Sequence, residues 1–366
     1  MNIGIPKERR DLELRVGLTP YGVDLLTRAG HTCYVEHEAG VGAGFADDDY
    51  ERAGAHIVYS GEEVYGRADL VLKVLRPTPE ELDWLREGQI ITGFLHLAAA
   101  RPRTLKTLLE KRITAIAYET IQEDDGSLPV LKTMSEVAGR MAPHLAATFL
   151  QSNYGGRGIL LGGVPGIPPA NVVILGAGVL GSCAARAFYG SGADVHVLDH
   201  TLEKLYRIDE QFQGHVPTMV SHPFNVARVV RFADVLVCAI LTPGARVPII
   251  VTREMVRSMK KGAVILDFDI DQGGCVETAR PTTLRDPVYV EEGVVHFCVP
   301  NVPGAVPRTA THAFNNAVWA HLRRVAEVGL EQALTELPAL ARGIATRDGR
   351  IVSEPLAAAY YAGREG

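Results

Sequence analysis

The sequence predicts an α/β protein made of two Rossmann-like domains, each a doubly wound parallel sheet. Three observations lead there. Short apolar strands alternate with helical stretches through the first third of the chain, the order that parallel sheets with helical crossovers require. A second run of strand, turn, helix and strand begins at Asn171 and carries the pattern G-x-G-x-x-G at its turn. The chain is 366 residues long, more than a single core usually organises.

Residues 3–5 read as the first strand. After a charged loop, Thr19 and Pro20 supply an N-cap and a first-turn proline for a helix through Val23 and Leu26 that stops at Gly30. Strand 33–35, a helix near 49–53, strand 56–59, a short helix near Glu62 and strand 70–74 follow. Thr78-Pro-Glu-Glu81 is a capping box opening a helix that closes at Gly88, and strands 90–95 and 115–118 flank a helix over 104–110. Residues 133–152 predict a long helix, with Thr133 and Glu136 as its capping box and Met134, Val137, Ala138, Met141, Leu145 and Phe149 on one face. This helix and the proline-rich segment 300–307 are the expected crossings. They give a first domain of residues 1–132 completed by 304–366, and a second of residues 133–303. Later strands are expected at 218–220, 235–240, 263–268 and 295–299. A last amphipathic helix, marked by Phe314, Val318, Leu322 and Val325, should pack back on the first domain.

The second domain carries the most specific signal. Val172 to Leu175 is a strand of the doubly buried kind, and it runs directly into Gly176-Ala-Gly178-Val-Leu-Gly181. Gly176 permits the turn, Gly178 lets backbone approach a pyrophosphate, and Gly181 lets the following helix pack closely, with the phosphates on that helix's N-terminus. The next strand ends in Asp199, which can accept both ribose hydroxyls of NAD and would repel the 2′-phosphate of NADP. The expected cofactor is NAD.

Composition excludes other classes. Net charge is −6 and no basic block interleaves with aromatics, so neither nucleic acid nor a membrane surface is an expected partner. The N-terminus is too short in apolar residues for a signal sequence and no run reaches membrane-spanning length, which predicts a cytoplasmic protein. Cys33, Cys183, Cys238, Cys275 and Cys298 are scattered and odd in number, suggesting neither a disulfide framework nor a zinc site.

In open parallel sheets ligands sit beyond the carboxyl ends of strands. There the sequence places Lys73 after ADLVL, His96 after IITGFL, Asp271 after AVILDFDI, and Arg15 in the loop after the first strand. Each has a plain alternative: solvated charges for Arg15 and Lys73, a hydrogen-bonded core histidine for His96, an Asx-turn for Asp271. Taken singly they leave the function open.

The segments GIPKERRDLELRVGLTP, LKV, FLHLAA, AYET, MSEVAGRMA, GGRGILLGGVPG, VILGAGVLG, LTPGA, IDQGGC, RPTT and NVPGAVPRTAT resemble, in order and over nearly the whole chain, the alanine dehydrogenases. That family also includes the nucleotide-binding part of proton-translocating transhydrogenase. The resemblance implies reversible NAD-dependent oxidative deamination of L-alanine or a similar small amino acid to the keto acid, ammonia and NADH. It implies His96 and Asp271 as the catalytic pair and Arg15 and Lys73 as substrate-binding residues. It further implies cofactor contacts from Ser135, Asp199, Lys204, Ser221 and Asn301, and a hexamer whose domains close a cleft. Such chemistry needs a cation for the α-carboxylate and a general base near neutrality, which Arg15 and His96 provide; Lys73 could polarise the carbonyl and Asp271 orient the attacking water or ammonia. No metal is required. Two other readings are a synthase that reductively couples a keto acid to an amino acid, and a transhydrogenase-type or non-catalytic nucleotide-binding paralogue.

The chain departs from the family at Leu75-Arg76, where a lysine-glutamate pair is usual, at Asp269 and Pro300, where alanine is usual, and at Val302, usually methionine. If the strand persists to Asp271, the carboxylates of Asp269 and Asp271 share one side at roughly 7 Å between Cα atoms. If the strand has bent, Asp269 is expected to face solvent or cap a turn.

Overall fold

Short apolar strands that each feed a helix hide both faces only inside a parallel sheet, and the computed structural model, which describes residues 1–241 and 247–362, contains two such sheets. Two compact units hold them: Met1–Met134 with the chain from Pro303 onward, and Ser135–Val302.

The first unit contains β1 (Asn2–Ile5), β2 (Thr32–Glu36), β3 (His56–Val58), β4 (Leu70–Leu75), β5 (Ile90–Phe94) and β6 (Thr114–Ala117). The second contains β7 (Asn171–Leu175), β8 (Asp194–Asp199), β9 (Thr218–Val220), β10 (Val235–Cys238), β11 (Val264–Asp267), β12 (Val288–Glu291) and β13 (Val294–Phe297). The chain then returns to the first unit for β14 (Ile344–Arg347) and β15 (Arg350–Ile351).

The first sheet runs β15-β14-β6-β5-β4-β1-β2-β3, and the second β12-β13-β11-β10-β7-β8-β9. β1 to β6 pair in parallel, as do β7 to β11 with β13. The winding direction reverses between β1 and β4 in one sheet and between β7 and β10 in the other, and loops leaving those strands diverge to leave a crevice. The α/β class holds, with one addition: β12, β14 and β15 form antiparallel edges that the sequence reading did not contain. They are only two to four residues long, too short to show the apolar periodicity that betrays a strand.

Doubly buried strands explain the continuous apolar runs. In β7, Val172 and Ile174 enter one core while Val173 and Leu175 enter another on the opposite face. The long helix spans Pro129–Phe149, four residues earlier than its expected start. Thr133 does not cap it: its hydroxyl donates back to Val130 O at 2.7 Å inside the first turn. Pro129 opens the helix instead, since a first-turn proline gives up no needed donor. The expected apolar face is otherwise present, with Met134, Val137, Ala138 and Phe149 buried.

The helix Pro307–Val328 buries Phe314, Val318, Leu322 and Val325 in the first unit. Its polar residues matter as well. Asn315 Oδ1 accepts from Thr19 N at 3.0 Å and Thr311 Oγ1 from Val16 N at 3.3 Å, so this helix pins the loop leaving β1. Gly17 in that loop lies so close to β4 that a Cβ would stand 2.0 Å from Leu72 O. Asn315→Ala is therefore expected to leave a buried N–H unpaired and to lower stability by about 1–3 kcal/mol, read as a lower urea midpoint at unchanged slope.

Candidate active site

Each unit brings its own set of candidate side chains to the carboxyl end of its sheet. In the first, the loop after β1 carries Arg15, almost fully buried. Glu13 holds the guanidinium by two bonds, Nε to Oε1 at 2.7 Å and Nη2 to Oε2 at 2.6 Å, and Nη1 meets Met134 Sδ at 3.3 Å. The fork is thus fixed in orientation along one edge, which is the preorganisation a bidentate carboxylate clamp needs.

His96 follows β5 in a left-handed conformation, φ 41° and ψ 51°. An uncommon backbone state needs bracing, and Glu119 supplies it: Oε1 accepts from His96 N at 2.6 Å and Oε2 from Leu95 N at 3.1 Å. The imidazole remains about a third exposed, with Nδ1 4.0 Å from Glu119 Oε1. His96 is therefore no core histidine. Glu119 was not singled out from the sequence, where it is one acid within AYET; its signal lay only in the fold, which pairs β6 beside β5.

Lys73 is not the solvated charge of its plain alternative. It is 0% exposed, with Nζ 2.6 Å from Glu81 Oε1 and 3.1 Å from Glu8 Oε2. Burial opposes its charge, but the two carboxylates prevail and raise its pKa. Glu81 stays below the ordinary carboxylate value despite burial, through Lys73 and Thr78, whereas burial pushes Glu8 up. Glu8 also accepts from Val74 N at 2.7 Å, and Glu81 closes the expected capping box by accepting from Thr78 N at 2.7 Å. Lys73 thus braces the end of β4 from within. Leu75 and Arg76, both half-buried, succeed it at the strand's end.

In the second unit the glycine turn follows β7. Gly176 has φ +105°, and a Cβ on Gly181 would stand 1.8 Å from Gly176 O, so turn and helix close on each other. At Gly178, the N-cap of the helix Val179–Gly190, a Cβ would meet no protein atom within 4 Å. Protein packing does not demand glycine there; close approach of a ligand would. Gly139 of the long helix comes so near Leu180 O that a Cβ would lie 2.6 Å away, and half-buried Ser135 lies one turn earlier on the same face of the long helix.

Asp199 ends β8 with only 4% exposure. Its Oδ2 accepts from Ala177 N and its Oδ1 from Thr201 N, both at 2.8 Å, and Lys204 Nζ lies 3.6 Å away. Burial would raise its pKa, yet those N–H groups and the Lys204 ammonium hold it below the usual value. It is ionised, oriented, and locked to the glycine turn. Ser221 N donates to Asp199 O at 2.9 Å, placing that serine beside it. Asn301 takes a left-handed φ of 61° between exposed Pro300 and buried Val302.

The Asp271 loop corrects an expectation. β11 ends at Asp267, and a 3₁₀ turn, Ile270–Gln272, follows, so Asp269 and Asp271 do not share a strand face. Nor does Asp269 face solvent: it is 6% exposed, and both its oxygens lie 2.9 Å from Ile240 N. Asp271 stands exposed on the turn. The residues 242–245 of the LTPGA segment lie outside the described residues.

Comparison with known proteins agrees with this geometry. Residues 4–138 match the family described as alanine dehydrogenase/PNT, N-terminal domain, and residues 142–354 its C-terminal domain. The chain is 48% identical over 361 residues to an alanine dehydrogenase of Geobacillus stearothermophilus and 46% identical over 361 residues to one of Methanococcus maripaludis; each match covers 98% of this chain and 96% of the relative. Among solved structures, an L-alanine dehydrogenase superimposes at a TM-score of 0.93 with 44% identity, covering 99% of both chains. Among the described residues no helix is long and apolar enough to cross a membrane.

Removing a cation from a buried cluster leaves its carboxylates uncompensated. Lys73→Met is accordingly expected to cost about 3–5 kcal/mol of stability, read by thermal melting. A melting temperature equal to that of the unaltered protein would contradict a bracing role for the cluster.

Proposed function

This chain belongs to the alanine dehydrogenase/PNT family, and we propose that it catalyses the reversible conversion of L-alanine, water and NAD to pyruvate, ammonia and NADH. The near-full-length likeness to alanine dehydrogenases carries the proposal, and the geometry of the two sites supports it. NAD, when bound, supplies the hydride acceptor. Gly176, Gly178 and Gly181 would take its pyrophosphate and the ionised Asp199 its ribose, with Ser135, Lys204, Ser221 and Asn301 around it.

Arg15, fixed by Glu13, clamps the substrate carboxylate. His96 takes the proton from the water that adds to the imine and returns it in the reverse direction, since an imidazole titrates near neutrality. Asp271 orients that water or the incoming ammonia. Lys73, whose Nζ is oriented by Glu8 and Glu81, binds the substrate beside Arg15 and polarises the carbonyl in the reverse direction. The same proposal places the enzyme in the cytoplasm as a hexamer, which mass photometry would report as six copies.

NADH oxidation by pyruvate should require ammonia. Turnover without ammonia, or only with an added amino acid as amine, would contradict this reading, and the second outcome would favour the coupling synthase. NADH should be strongly preferred to NADPH, and Asp199→Ala should weaken NADH by tens-fold or more and narrow the preference, because hydrogen bonds to a charged acceptor are worth roughly 1.5–3 kcal/mol.

His96→Ala and Asp271→Ala should each lower kcat by about a hundredfold or more while NADH still quenches protein fluorescence on binding. Arg15→Ala should chiefly raise KM for pyruvate. Near-normal turnover in His96→Ala would remove it from the base role.

A further inference from the structure

The loop 268–275, which presents Asp271, is built around two buried carboxylates. Asp267 ends β11 at 1% exposure. Its Oδ1 accepts from Asp269 N at 3.0 Å and its Oδ2 from Cys275 N at 3.2 Å, so one side chain holds the loop at both ends. Gly274, at φ +73°, lies so near that a Cβ would stand 2.9 Å from Asp267 Oδ2. Asp269 ties the same loop sideways to β10 through Ile240 N, and its own carbonyl accepts from Gln272 N at 2.9 Å and Gly274 N at 3.0 Å.

The charges around this pair are one-sided. Asp267 and Asp269 face each other's charge and that of Asp271. Cys238 and Cys275 complete the surroundings: their sulfurs and an Asp267 oxygen lie within 4.8 Å of one another. Burial pushes the Cys275 thiol up to about 12 and the Cys238 thiol well above its ordinary value, so both stay neutral. Among the described residues no ion pair reaches either carboxylate. Two like charges in such a setting cannot both persist without large cost.

We propose that Asp269 is a positioning residue for the reaction: with Asp267 it clamps the loop 268–275 and so fixes where Asp271 is presented. The proposal rests on the reading of Asp271 as the residue that orients water or ammonia. Burial pushes Asp267 up to about 6, against its backbone donors. Burial and then the charge of Asp267 hold Asp269 well above the usual carboxylate range. Asp269 is thus held protonated more firmly than an ordinary carboxyl, and a neutral Asp269 carboxyl can accept from Ile240 N without adding a second buried charge. Loss of that proton at higher pH puts two negative charges under the loop and loosens it.

The sign of the linkage follows. A buried carboxyl with a raised pKa leaves stability intact below about pH 4, where folded and unfolded states are both protonated, and stability is lost as pH climbs through the raised value. Asp269→Asn keeps an acceptor for Ile240 N and cannot ionise. Its melting temperature should match the unaltered protein near pH 4 and exceed it increasingly above pH 6. Amide exchange of peptides spanning 268–276, compared at equal pH, should be slower in Asp269→Asn at alkaline pH and several-fold faster in Asp269→Ala at neutral pH. In turnover with pyruvate, ammonia and NADH, the kcat ratio of Asp269→Asn to unaltered protein should rise steadily from pH 6 to pH 10, while Asp269→Ala should lower kcat several-fold at neutral pH and Asn should rescue it. An unaltered protein inert with these substrates would overturn the proposed function but leave the melting and exchange comparisons decisive. Superimposable melting and exchange profiles for all three proteins would overturn the positioning role even in an active enzyme.

Discussion

Carboxylates that accept backbone N–H groups hold several of the loops on which the proposed chemistry stands. Glu8 takes Val74 N at the end of β4, Glu119 takes Leu95 N and His96 N after β5, Asp199 takes Ala177 N in the glycine turn, and Asp267 takes both ends of the Asp271 loop. The recurrence has a physical cause. Strands in a parallel sheet all end on one edge, where their last N–H groups and the loops beyond lack a ladder partner yet lie too deep for water. A charged acceptor satisfies two such donors at once and fixes the loop's geometry more firmly than a neutral one.

Cations in the same places are neutralised internally. Arg15 has Glu13 along one edge and Lys73 has Glu8 and Glu81, so neither is an isolated buried charge. The two arrangements differ in form: Glu13 holds two nitrogens of a planar fork, whereas the ammonium of Lys73 lies between two carboxylates on the strand that carries Leu75 to the edge.

Much of this was legible in the sequence, for reasons that can be stated residue by residue. The β7 turn declared itself because strand, glycines, helix, strand and Asp199 must occur in that order to bind a dinucleotide. Thr78 and Glu81 declared a helix start through their spacing. What stayed hidden depended on long-range placement: Glu119 acts on residues more than twenty positions earlier, Glu8 on β4, and Asn315 on Thr19. The carboxylates around Lys73 were hidden because alternation along a strand says which face a side chain takes but not which groups other segments bring to that face. The capping box at Thr133 failed because Pro129, a stronger start signal, lay just upstream.

The departures at Leu75, Arg76 and Asp269 fall at strand ends and loops of this carboxylate-braced kind, and those at Pro300 and Val302 in the segment after β13, where substrate preference would be set without altering the scaffold. The central claim is that these edges bring ammonia and a keto acid to a nicotinamide and form an amino acid. Incubating the protein with pyruvate, NADH and ¹⁵N-labelled ammonia and identifying the product by NMR tests it most directly. The account predicts L-alanine carrying the label. Unlabelled lactate, a secondary amine formed only when an amino acid is added, or no nitrogen-containing product would contradict it.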